Sequence, residues 1–175
     1  MAKVVTKKVR LSYVHVFTPG ETLNGDEKYS ACLIIPKKDK VTIAAIKQAV
    51  EDAKEEGKSK KWGGKIPANL KTPLRDGDEE RSDKPEFQNS YFLNASSKNQ
   101  PAVFDTDKTE MLDKNELYSG CWARVIVNFY PYDTSGSRGV AAGLNGIKKV
   151  ADDERLDGGG VSVDDFDDEE EDFLN

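Results

Sequence analysis

Residues 118–150 read YSGCWARVIVNFYPYDTSGSRGVAAGLNGIKKV, and their pattern decides the fold. Along 121–131 the side chains alternate in kind. Cys121, Ala123, Val125, Val127 and Phe129 fall on one side; Trp122, Arg124, Ile126, Asn128, Tyr130 and Tyr132 fall on the other. Residues two apart share a face of a strand, so each set is a surface. The first is small and apolar, as a core face should be. The second carries three aromatic rings, an arginine and an asparagine. Rings and a cation on one open strand face suit single-stranded nucleic acid, whose bases stack and whose phosphates meet the charge. The same rings would equally suit a second core layer or a contact between two copies of the chain.

The small polar run Asp133-Thr134-Ser135-Gly136-Ser137 suits a hairpin tip, so 138–150 returns as the second arm. Gly139, Gly143 and Gly146 punctuate that arm. Glycine within a strand permits a bulge, a bend or the close approach of another backbone. Small barrels need such bends to close. The hairpin therefore predicts a mainly β fold, a barrel with a groove across one face.

Outward from the hairpin, strands are expected at 7–17, 27–36, 89–97 and 101–105. In the first, Val9, Leu11, Tyr13, His15 and Phe17 share a face, and Thr18-Pro19-Gly20 ends it. The second is apolar on both sides, as in a central strand. Ile43, Ile46, Val50 and Ala53 form a stripe at helical spacing. They predict one helix, capped by Asp39 or Thr42, stopped at Gly57 and packed on the barrel. Residues 109–117 have some helical character. Residues 66–88, with three prolines and a run of charges, predict a long loop lying over the groove and ordered by ligand. His15 is the single histidine; with no partner at ligand spacing it is expected to be structural.

Residues 58–65 read KSKKWGGK. Lys58, Lys60 and Lys61 are expected to meet phosphates and Trp62 to stack on a base, as a mobile basic loop carrying an aromatic wedge. The plain alternative is a solvated linker whose tryptophan tucks into the core.

Net charge is −6 over 175 residues, which alone argues against a nucleic-acid partner. The distribution reverses that argument. Residues 152–175 hold twelve acids and one arginine; residues 1–151 hold 25 bases and 20 acids, a body of +5. Such asymmetry suggests a nucleic-acid or membrane partner and an interaction tail. The division expected is a binding domain over 1–151 and a flexible acidic tail over 152–175, too poor in apolar residues to order alone. Phe166, Phe173 and Leu174 interrupt the acids, with Asp172 adjoining the last pair. An aromatic ring among carboxylates suits a partner's pocket rimmed by basic residues. The same tail can fold back and compete with DNA for the basic groove.

Cys32 and Cys121 sit in apolar strand patterns without metal-ligand spacing and are expected to be reduced core residues of a cytosolic protein. No run approaches membrane-spanning length, so no membrane partner is expected. Phosphate-binding glycine loops, zinc spacings, nucleophile elbows and histidine pairs are all missing. The dense carboxylates lie in the tail, with no rigid scaffold to hold metals. No catalytic residue, metal or cofactor is expected.

The segment FYPYDTSGSRGVAAGLNGIKKV, followed by ADDERLDGGG and an acidic tail carrying a late aromatic, resembles the single-stranded DNA-binding proteins of tailed bacteriophages. The Gly-Val-x-x-Gly-Leu run is the most specific part, and the resemblance covers residues 1 to about 160. It implies an OB-fold, a partly open five-stranded barrel, binding single-stranded DNA with little sequence preference in phage replication or recombination. It also implies a place in the host cytoplasm and a tail that recruits replication or recombination proteins. Such tails end on their aromatic residue, whereas here Leu174 and Asn175 follow Phe173, which leaves the tail's partners open. On this reading Arg124, Arg138, Lys58, Lys60 and Lys61 contact the backbone, and bases stack on some of Trp62, Trp122, Tyr130 and Tyr132. A protein-interaction module without DNA binding is the alternative.

Overall fold

A computed structural model describes residues 2–21 and 25–156. The tail positions Phe166, Asp172, Phe173 and Leu174 lie outside the described residues. In chain order the elements are β1 (Ala2–Val5), β2 (Val9–Glu21), β3 (Glu27–Pro36), α1 (Lys40–Lys60), β4 (Arg75–Asp76), α2 (Gly77–Glu80), β5 (Ser90–Ser97), β6 (Ala102–Phe104), β7 (Trp122–Thr134) and β8 (Ser137–Ala151). Antiparallel pairings join β7 to β2, β2 to β3 and β3 to β5, and β8 pairs along β7. A parallel contact between Ser96 of β5 and Gly143 of β8 closes the ring. Five strands thus form the barrel expected of an OB-fold.

The short strands β1, β4 and β6 extend the sheet beyond the ring. β1 lies along β7, with Val4 opposite Val127, and β6 runs parallel to β8. Two residues or four carry too little pattern for β1 and β4 to be read in advance. Inside the barrel Val9, Leu11, Leu33, Ile35, Leu93, Val125, Val127 and Phe129 are fully buried. α1 adds Ile43, Ile46, Ala49, Val50 and Ala53 to the same core. Its cap is as expected, the Asp39 carboxylate accepting from the Thr42 N–H at 3.1 Å.

Four expectations are corrected. First, β2 does not keep one face inward. Its register with β3 shifts between Ser12 and His15, and Tyr13 adopts φ +49°. This bulge swaps the faces, so Val16 enters the core while Tyr13 is 52% exposed. β2 also continues to Glu21, because Gly20 and Glu21 still pair with β3.

Second, α1 runs through Gly57 to Lys60. Third, residues 109–117 form no helix beyond a single 3-10 turn at Lys114–Glu116. Met111 donates instead to the Val103 carbonyl at 2.9 Å and is buried.

Fourth, 66–88 is built, not loose. β4 pairs with β5, and the turn at Pro85–Phe87 drives Phe87 onto Phe92 with ring centroids 5.2 Å apart. With Cys32 and Ile34 these rings form a second small core outside the barrel wall. One aromatic anchor ties the segment to the outside of the barrel wall, and this second core is why β3 is apolar on both sides. Burial raises the Cys32 thiol pKa to about 12, partly offset by Arg81, and burial also raises that of Cys121. Both are free cysteines and stay protonated near neutral pH.

Candidate nucleic-acid interface

The hairpin β7–β8 splits its side chains as alternation requires. Ala123, Val125, Val127 and Phe129 are fully buried, while Trp122, Ile126, Asn128, Tyr130 and Tyr132 are half-buried and Arg124 is exposed on the outer side. On β8 the residues facing this outer set are mostly small. Tyr132 pairs with Gly139, Tyr130 with Ala141, Asn128 with Gly143 and Ile126 with Gly146. A side chain at Gly143 would collide with the Asn128 amide, and one at Gly139 with the Lys71 carbonyl. The glycines let β7 side chains and the incoming chain at Lys71 lie flat across β8.

At the tip, Trp62 is not the exposed wedge expected. It is 7% exposed, belongs to the main core, and its indole N–H donates to the Tyr132 carbonyl at 3.1 Å. Its ring lies on Gly57, where a Cβ would stand 2.7 Å from Trp62 Cη2 and from Pro131 Cβ. Gly57 therefore makes room inside the helix instead of ending it. This lock fixes the turn carrying Lys58, Lys60 and Lys61 beside Pro131 and Tyr132. All three lysines are exposed; Lys60 pairs with Glu56 at 3.4 Å. Arg138 pairs with Asp133 at 3.3 Å across the tip, and Lys71 Nζ donates to Ser137 Oγ at 3.2 Å. Lys58, Lys60 and Lys61 thus stand near Pro131, while Arg138, Tyr130 and Tyr132 lie at the tip end of the hairpin. Lys71 joins them, a residue missed because its chain has no periodicity.

Trp122 and Arg124 lie toward the other end, roughly 33 and 26 Å along the strand from Tyr132 at about 3.3 Å per residue. Arg124 Nε donates to the Thr6 carbonyl at 3.0 Å. Trp122 is engaged: its indole N–H donates to the Asp153 carboxylate at 2.8 Å, and Lys8 Nζ sits 5.6 Å from its ring centroid. Residues 152–156, expected as a flexible exit, are strapped to the barrel here. Asp152 accepts from Tyr118 Oη at 2.9 Å and pairs with Lys149, whose side chain is 5% exposed. Arg10 donates to the Glu154 carbonyl at 2.8 Å and stands 3.7 Å from the Asp153 carboxylate. Leu156 donates to the Ser119 carbonyl at 2.9 Å and packs on the second core.

Hydrogen bonds from Lys149 and then Tyr118 lower the Asp152 pKa; those from Trp122 and the Glu154 N–H, with Arg10, lower that of Asp153. Both carboxylates stay charged and hold the strap at neutral pH. A chain ending at Ala151 takes Asp152 from the nearly buried Lys149, leaving it the Glu116 carboxylate alone, and uncovers the second core. It should melt about 5 °C below one ending at Leu156, as read by circular dichroism.

Among the described residues no helix is long and apolar enough to cross a membrane. A family model described as Enterobacter phage Enc34, ssDNA-binding protein, matches residues 2–174. Putative protein p50 of Acyrthosiphon pisum secondary endosymbiont phage 1 is 34% identical over 98% of both chains. The single-stranded DNA-binding protein from bacteriophage Enc34, solved in complex with ssDNA, superposes with a TM-score of 0.78 at 27% identity, covering 89% of each chain. The single-stranded DNA-binding protein gp2.5 of bacteriophage T7 shares the fold, with a TM-score of 0.64 at 16% identity over 95% of this chain and 93% of that one. The OB-fold barrel, the basic, aromatic hairpin face and a family match over nearly the whole length agree: the chain belongs to the family of the Enterobacter phage Enc34 ssDNA-binding protein.

Proposed function

We propose that this protein binds single-stranded DNA without chemistry and with little sequence preference, in phage DNA replication or recombination. The observation that carries this reading is the outer face of β7–β8. There half-buried tyrosines, facing small residues of β8, lie between basic groups near the tip and Arg124 near the base. The DNA backbone follows Lys58, Lys60, Lys61, Lys71, Arg138 and Arg124. Bases stack on Tyr130 and Tyr132, each stacked base worth roughly 1–3 kcal/mol. Trp122 adds a ring where Asp153 yields it. Family membership and the DNA complex of the Enc34 protein support the reading.

In this reading the acidic tail beyond the strap competes with DNA for the basic track and offers Phe166 and the Asp172-Phe173-Leu174 end to partner proteins. Fluorescence anisotropy with labelled oligo-dT and a matched duplex tests both parts. The full chain should prefer the single strand. A chain ending at Leu156, which keeps the strap, should bind several-fold more tightly. Unchanged or weaker binding by that truncation removes the competition. No binding by either chain leaves the aromatic face as a protein interface.

A further inference from the structure

A hollow of about 250 Å³ opens on the outer side of the hairpin, a few residues along β7 from Trp122. Ile126 and Gly146 form its floor, and Val5 and Phe104, 49% and 37% exposed, form its walls. Arg124, Lys148 and Lys108 stand at its rim. Three features mark it as built for a ligand.

Gly146 is the first. Gly139 and Gly143 have no room for a side chain, but a Cβ at Gly146 would stand 3.5 Å from Ile126 Cδ1, 3.7 Å from the Ala102 carbonyl and 3.9 Å from Ile126 Cγ1. Those are ordinary contacts, and its backbone does not require glycine. Packing would accept a larger residue, yet the floor is left open. The second feature is charge. Arg124 and Lys148 face each other directly across the β7–β8 pair. Like charges in that position destabilise a sheet unless an anion lies between them. Neither they nor Lys108 pairs with a carboxylate among the described residues. The third is Val5 and Phe104, two large apolar side chains left facing solvent on one small space.

We propose that this hollow seats one unstacked nucleobase of the bound single strand, against Phe104 and Ile126, with the flanking phosphates held by Arg124, Lys148 and Lys108. This rests on the single-stranded DNA reading and adds to it a defined base site at the end of the track remote from the lysine cluster. An apolar ring between anionic neighbours is the chemistry that such a space and rim select.

The test is Gly146→Val in the full chain, since a β-branched residue suits a strand and fills the floor. Binding is measured to oligo-dT and to an abasic deoxyribose-phosphate oligomer of equal length. The variant should lose about tenfold in affinity for oligo-dT and nothing for the abasic strand. Equal weakening toward both, or no change toward oligo-dT, overturns the base site. Tighter oligo-dT binding also overturns it, in favour of the chain's own tail phenylalanine as occupant. Wild-type protein that binds neither oligomer fails the single-strand reading itself. Should the melting curve show Gly146→Val unfolded, Phe104→Ala replaces it, with the same selective loss expected.

Discussion

A fourfold rise in salt, from about 50 to 200 mM, should weaken oligo-dT binding about 300-fold. The slope follows from the cations along β7–β8. Lys58, Lys61, Lys71, Arg124, Lys108 and Lys148 have no carboxylate partner among the described residues, whereas Lys60 and Arg138 must leave a carboxylate to meet a phosphate, and that carboxylate then takes up a cation, so they add little to the slope. About six neutralised phosphates on a single strand give a logarithmic slope near −4, because each contact releases about 0.7 of a counterion. Isothermal titration or anisotropy across salt concentrations reads that slope directly. A slope near zero would mean that the aromatic face meets something other than a phosphate backbone. Lys148→Gln should flatten the slope by less than one unit while leaving the preference for single strands intact.

Trp62→Ala should lower stability by about 3–5 kcal/mol, roughly 10 °C in Tm. The ring fills the space between Gly57 and Pro131, and its N–H satisfies the Tyr132 carbonyl. Removing it leaves a cavity and an unpaired carbonyl, and frees the lysine-bearing turn from the hairpin. Trp62→Phe should recover part of the packing but not the hydrogen bond. If Trp62→Ala melted like wild type and lost only DNA affinity, the tryptophan would be the stacking wedge that its sequence neighbours suggest. Lysines and glycines flanking a tryptophan look like an exposed loop. Here the Trp62 backbone N–H instead donates to the Gly57 carbonyl at 2.8 Å, holding the ring at its own helix, and Gly63 and Gly64, both at positive φ, turn the chain away after it.

The hairpin was legible because strand alternation is local. Each residue of 121–131 announces its face through its neighbours two positions away, and burial follows that reading from Cys121 to Phe129. The α1 stripe was legible for the same reason. Tyr13 was not. A bulge inserts one residue whose presence depends on how β2 and β3 pair, and the pattern before and after it looks continuous. Phe87 was equally hidden. Among prolines and charges a single phenylalanine carries no period, and only the outer face of β3 and β5 gives it a place to go. For the candidate interface, Arg124, Tyr130 and Tyr132 could be placed on one face in advance. Lys108 and Phe104 reach that face only because β6 pairs alongside β8.

By itself the sequence determined the long hairpin, its two faces, the packed helix and the contrast between a basic body and an acidic tail. Period-two and period-3.6 patterns and net charge are properties of neighbours along the chain. Only the tertiary structure decided that Trp62 is core, that 152–156 is a strap, and that Arg124 and Lys148 face each other beside an open floor at Gly146. These depend on contacts between residues distant in sequence, and no local pattern encodes which strands meet when the barrel closes.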